Sequence, residues 1–133
     1  KWKDVMATNK NWENPYGHYK AISKEIRALT KNYDGIAWYA TSINIPSDWF
    51  GKRNIYLYFG AVDDSCTVYV NGEKVHYRPY IKPDDWTTPF TVDITKYVKG
   101  NARTPQIIMV RVGDKGGAGG IWKEVFLVSK EKK

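Results

Sequence analysis

Apolar and polar positions alternate with a period of two along most of this chain, in short runs of strand length. In GIAWYATSINIP (35 to 46), aromatic and β-branched residues run up to Pro46, which stops them. RNIYLYFGAV (53 to 62) sets Ile55, Leu57 and Phe59 on one face and Tyr56 and Tyr58 on the other. CTVYV (66 to 70) sets Cys66, Val68 and Val70 together, Asn71-Gly72 follows, and EKVHY returns. Asn-Gly is the preferred pair for a two-residue hairpin because both residues tolerate positive φ. TPFTVDI (88 to 94), QIIMVRV (106 to 112) and WKEVFLVS (122 to 129) read as further strands, several of them apolar on both faces, as sandwich-core strands can be. About seven short strands with turn signals between them predict an all-β antiparallel β-sandwich.

Two segments break the period. In HYKAISKEIRALTKNY, Tyr19, Ile22, Ile26, Leu29 and Tyr33 recur at spacings of three and four. That spacing predicts one short N-terminal helix lying on the sandwich, the alternative being an extended segment with the same residues. ITKYVKGN (94 to 101) reads as one short helical turn closing at Gly100.

A length of 133 residues fits a single domain, 1–133, with one core. Hydrophobic residues at 42% and aromatics at 15% exclude a disordered chain. No apolar run approaches the roughly 18 residues of a membrane helix, so a soluble domain with no membrane partner is expected. KWKDVMATNK has basic residues without an apolar stretch behind them, so neither a signal peptide nor an anchor is visible. The single cysteine, Cys66, excludes an internal disulfide and a multi-cysteine metal cluster; inside a strand pattern it reads as a buried, inert thiol. Lys and Arg exceed Asp and Glu by 21 to 14, giving +7. That excess favours anionic partners, although part of it is a terminal KEKK, a solvated tail.

An ordered set of features runs through the chain. Tyr-Asp-Gly precedes Trp-Tyr (33 to 39), a strand ends in Ile-Pro (45 to 46), and GAVDDSCTVYVNGEKV, FTVDITKYVKGN and VRVGDKGGAGGIWKEVFLVS follow in turn. The set resembles the N-terminal sugar-binding domain of family 2 glycoside hydrolases, and the related galactose-binding-like jelly rolls used as carbohydrate-binding modules. The resemblance implies a jelly-roll sandwich of about eight strands. It also implies a module of a larger secreted bacterial enzyme, extracellular or periplasmic, with polysaccharide or oligosaccharide and an adjacent catalytic domain as partners; the domain itself is expected to be a monomer. The charged segment 18 to 32 and the long aromatic loop 76 to 87 depart from the family pattern.

Successive antiparallel strands reverse direction, so alternate loops meet at one end. One end is expected to collect residues 33 to 35, 62 to 65, 76 to 87 and 113 to 121; the other collects 46 to 54, the Asn71-Gly72 turn and 95 to 105. The first holds HYRPYIKPDDW, Asp63, Asp64, Asp114 and a glycine-rich stretch leading to Trp122, whereas the second holds mostly turn residues and lysines. The hairpin therefore reads as structural, with any chemistry at the opposite end.

A pyranose offers an apolar C–H face to an aromatic ring and a rim of hydroxyls to polar groups. Tyr77, Tyr80, Trp86 and Trp122 can supply rings, and Arg78, Asp64, Asp85 and Asp114 polar contacts; together they form the candidate ligand-binding set. Asp63 and Asp84 add carboxylates, and glycines 116, 117, 119 and 120 would let backbone approach a ligand closely. The plainer reading is that Trp86 packs over the sandwich mouth, that Trp122 is core, and that Trp38 and Tyr39 are framework.

No catalytic set is expected. Asp63-Asp64 and Asp84-Asp85 are paired carboxylates, but adjacent aspartates seldom face one another across a cleft, and both pairs sit in turn contexts. His18 and His76 have no serine or cysteine arranged as a partner. GDKGGAGG lacks the Gly-Lys-Ser/Thr ending of a phosphate loop and precedes a strand. No cofactor is required; the aspartates could hold a structural calcium of the kind such modules carry, although no spacing resembles an EF-hand. Lysines scattered over many loops argue against nucleic acid, while Arg78 and Lys82 beside the loop aromatics would suit a uronate or sulfate. The expectation is a non-catalytic carbohydrate-binding domain; the alternative is an accessory domain that packs on a catalytic neighbour without binding sugar.

Overall fold

The computed structural model describes residues 34–117 and 119–133, which hold nine β-strands and one 3₁₀ turn. The strands are Gly35–Ile43 (β1), Arg53–Phe59 (β2), Val62–Asp63 (β3), Ser65–Val70 (β4), Glu73–Arg78 (β5), Phe90–Asp93 (β6), Gln106–Asp114 (β7), Gly120–Ile121 (β8) and Val125–Glu131 (β9). Asp85–Thr87 forms the 3₁₀ turn. A four-stranded sheet of order β1-β7-β4-β5 faces a three-stranded sheet of order β6-β2-β9, and β3 pairs with β8 in a short ladder. Every pair is antiparallel, so the predicted all-β sandwich is the observed fold. The helix expected over 18 to 33 lies outside the described residues.

The period of two fills the core. Cys66, Val68 and Val70 of β4 and Ile108, Val110 and Val112 of β7 point inward from one sheet, meeting Ile55, Leu57, Phe59 and Val92 of the other. Ile45 and Ile94 from the connecting segments, with Val62 of β3 and Ile121 of β8, close the cluster. Burying a side chain of this size contributes roughly 1.5–3 kcal/mol. The exposed Lys99–Glu73 ion pair, 3.9 Å apart, contributes at most about 1 kcal/mol. Apolar burial therefore dominates. Cys66 is part of that core, and burial pushes its thiol up to about 11, as fits an inert residue.

The hairpin tip has Asn71 at φ 50° and Gly72 at φ 83°, the two left-handed positions that a two-residue turn needs. Asn71 Nδ2 also donates to the Tyr97 carbonyl at 2.9 Å, which joins this tip to the 95 to 105 loop at the expected end. Three local expectations are corrected. Residues 94 to 101 form no helix but a tight turn, closed by Tyr97 N–H on the Ile94 carbonyl at 2.9 Å. Asp93 Oδ1 accepts from the N–H and hydroxyl of Thr95, and Gln106 Oε1 accepts from the N–H of Lys99, so side chains have taken the bonds that a helix would use. The last long strand begins at Val125, where β9 first pairs with Phe59, rather than at Trp122. In the approach to it, Gly60 N–H donates to the Glu124 carbonyl at 3.0 Å, and a Cβ at position 60 would lie 2.7 Å from Lys123 Cβ. Finally, β5 runs past EKVHY to Arg78, so the aromatic loop is shorter than the expected 76 to 87.

Candidate functional site

The expected loops do meet at one end. Asp64 N–H donates to the Gly113 carbonyl at 3.1 Å, Asp64 Oδ2 accepts from Lys115 N–H at 3.0 Å, and Val62 and Asp63 pair with Ile121 and Gly120. From β5 the chain turns through Pro79–Asp84 into the 3₁₀ turn. Asp85 shapes that path: its Oδ2 accepts from both Ile81 N–H and Lys82 N–H at 2.8 Å. These two bonds, with a smaller contribution from Arg78, hold its carboxyl below the ordinary value.

The 3₁₀ turn delivers Trp86 to Trp122. The two indoles stack with centroids 5.6 Å apart at 28°, and Trp122 Nε1–H donates to the Trp86 carbonyl at 2.6 Å. Trp86 remains 44% exposed, and the Lys123 ammonium lies 4.7 Å from the centroid of the Trp122 ring. Trp122 is thus half-buried against its partner, outside the strand and outside the core. An exposed indole backed by a second indole is a rigid apolar platform, and the Lys123 ammonium lies over the second ring.

Tyr80 stands by the carboxylates. Its hydroxyl donates to the Pro83 carbonyl at 3.2 Å, and partial desolvation, then the charges of Asp64, Asp63, Asp85 and Asp84, raise its phenol above the ordinary value. Burial alone would raise Asp64, but its contacts with Asp63, the Lys115 amide and Asp114 bring it below the usual carboxylate range.

Three members of the expected set are placed differently. Arg78 turns into the sandwich, with its guanidinium carbon 5.1 Å from the centroid of the Phe90 ring and bonds to the carbonyls of Asp85 and Val62. Tyr77 goes the other way, 53% exposed on the outer face of β5 with the Lys74 ammonium 5.6 Å from its ring centroid. The cause is a bulge: Val68 pairs with His76 but Tyr69 pairs with Lys74, leaving Val75 extra. One extra residue reverses which side chains face inward, so Arg78 lies opposite buried Cys66 and Tyr77 opposite Thr67. Asp114 is only 4% exposed, and its Oδ1 accepts from Gly116 N–H at 3.1 Å, shaping the glycine loop from within.

Tyr80, Trp86, Trp122, Asp64 and Asp85 are therefore gathered at the loop end. Lys123 was not legible as a member, because adjacent residues of a regular strand point to opposite faces; it joins only since 122 to 124 lie outside the strand. For calcium the fit is poor. Among the described residues no three His, Cys, Asp or Glu are grouped to hold a metal ion, and Asp64, Asp85 and Asp114 each accept from backbone amides.

Comparison with known proteins extends this description. Over 71 residues, 52% of this chain, the sequence is 35% identical to a beta-galactosidase of Thermoanaerobacter pseudethanolicus, of which it covers 8%. Bacteroides uniformis beta-glucuronidase superposes with a TM-score of 0.63 at 26% identity, over 73% of this chain and 12% of that one. A glycosyl hydrolase family 2 member from Bacteroides cellulosilyticus gives 0.67 at 23% identity, over 91% and 16%, a likeness of fold alone. The chain thus spans a small share of each relative. The family model described as "Glycosyl hydrolases family 2, sugar binding domain" matches residues 6–129, nearly the whole sequence. The chain accordingly belongs to the sugar binding domain family of the family 2 glycosyl hydrolases.

Proposed function

We propose that this domain binds glycan, without catalysing its cleavage, through the Trp86–Trp122 end of the sandwich, and so targets an appended glycoside hydrolase to polysaccharide. The stacked tryptophan pair carries the reading. One indole is open to solvent and is held in place by the second, which suits it to receive the apolar face of a pyranose. Tyr80 and the carboxylates of Asp64 and Asp84 stand near enough to interact and supply hydroxyl partners. The parent protein is proposed to act outside the cytoplasm on a polysaccharide; the relatives named as a beta-galactosidase and a beta-glucuronidase support a glycoside as its substrate class and no more.

The test is retention of the chain on a panel of insoluble and gel-embedded polysaccharides, neutral and acidic, at low and high salt. Salt-resistant retention on at least one is expected, weakened about tenfold or more in Trp86→Ala while the unfolding midpoint barely moves. Equal retention of the variant would sink the assignment.

A second reading has one observation in its favour. On the outer face of the three-stranded sheet, Phe126 is 50% exposed and pairs with Tyr58, their rings 6.3 Å apart. That surface suits packing against a neighbouring domain of the parent chain. Under this reading Phe126→Asp would loosen domain packing in the full-length enzyme, and no polysaccharide would retain the isolated domain.

A further inference from the structure

We infer that Arg78 is a positioning residue that sets the Trp86–Trp122 pair, an inference that rests on reading that pair as the glycan platform. The guanidinium sends its two terminal nitrogens to two carbonyls, one in the residue before Trp86 and one in the strand paired with the segment that leads to Trp122. Nη1 donates to the carbonyl of Asp85, the residue before Trp86, at 3.0 Å. Nη2 donates to the carbonyl of Val62. Val62 pairs across the β3-β8 ladder with Ile121, the residue before Trp122. One rigid fork therefore ties the segment that carries Trp86 directly, and the one that carries Trp122 through its ladder partner β3, and the bond from Trp122 Nε1 to the Trp86 carbonyl joins the two segments again.

The base of this frame is the core itself. The guanidinium lies over Phe90, which stacks on fully buried Phe59 at 4.9 Å and 4°. Arginine suits the task because its donors lie in one plane at fixed separation, so two carbonyls from different segments are fixed relative to each other. A lysine would keep a positive charge near Asp64 and Asp85 but, as a point donor, would not hold the same two carbonyls in one plane.

The experiment uses the 133-residue chain with Arg78→Met and Arg78→Lys, Lys being the variant that keeps charge and stem if Met does not fold. Two quantities are read: the exciton couplet of the stacked indoles in far-ultraviolet circular dichroism, identified by its loss in Trp86→Ala, and affinity for whichever polysaccharide of the panel retains the unaltered chain at high salt. Both variants should lose at least about half of the couplet and bind glycan about tenfold more weakly, with the strand signal retained. An unchanged couplet in the folded variants overturns the inference. An unchanged couplet with lost affinity also overturns it, because Arg78 would then touch the ligand directly. A lost couplet with unchanged affinity upholds Arg78 as the positioning residue and removes the tryptophan pair as the glycan site.

Discussion

Asn71 Nδ2 donates to Gln106 Oε1 at 2.8 Å, tying the tip of the hairpin to the first residue of β7. Gln106 is fully buried, and every polar atom of its amide is engaged. Oε1 also accepts from Lys99 N–H at 2.8 Å, while Nε2 donates to the carbonyls of Lys99 at 2.7 Å and Thr104 at 2.9 Å. Asn71 Oδ1 in turn accepts from Ile107 N–H at 2.9 Å. Two side-chain amides thus organise the end of the sandwich away from the tryptophans. Replacing Gln106 by Leu would strand several buried partners at once, and a loss of about 3 kcal/mol in urea unfolding is expected. A loss below about 1 kcal/mol would show that water replaces the amide. The Asn71→Ala, Gln106→Leu cycle should be non-additive, since both variants break the same bond.

His76 should govern stability near neutral pH. Its ring stacks on Phe90 at 5.7 Å, and burial, followed by the nearby charge of Arg78, lowers its pKa from the ordinary 6.5. A lowered folded-state value means that the unfolded chain takes the proton first. The contribution of His76 is therefore complete above 6.5 and is lost as the pH falls below it toward the folded-state value. Asp64 and Asp85, both held below 3.8, do not titrate in that window. Urea midpoints taken from about pH 7.5 down to about pH 5.5 should fall, and His76→Gln should flatten the slope. An equal slope in the variant would place the effect elsewhere.

Two turn glycines should respond unequally to alanine. Gly72 (φ +83°) has open space where a Cβ would sit, whereas at Gly100 (φ +75°) it would fall 2.2 Å from Thr104 Oγ1. Gly72→Ala should cost the left-handed backbone preference alone, about 1 kcal/mol. Gly100→Ala should cost more, and Thr104→Ala in the same chain should recover part of the difference. Equal losses would mean that the 100–104 turn adjusts freely.

The features that could be read directly are those with local causes. Ile55, Leu57 and Phe59 fall on the buried face of β2, as their alternation requires, and Asn71-Gly72 makes the expected turn because few other pairs tolerate two positive φ values. The sorting of loops into two ends follows from strand reversal alone, and so 62 to 65, 79 to 87, 113 to 117 and 119 to 122 come together. Gln106 gave no signal, since a glutamine at a strand start is ordinary; only the carbonyls of Lys99 and Thr104 brought to it by the fold make it central.

The sequence by itself determined the antiparallel sandwich, its hairpin and the end at which the aromatic loops gather, because period, turn chemistry and strand direction act over a few residues. The tertiary structure alone decided how that end is built. The extra residue Val75 turns Arg78 inward and Tyr77 outward, against the simple alternation of EKVHYR, and no local pattern announces it. Trp122 leaves the core for Trp86 because their bond and stacking cross 36 positions of chain, a separation that only the packed fold can close.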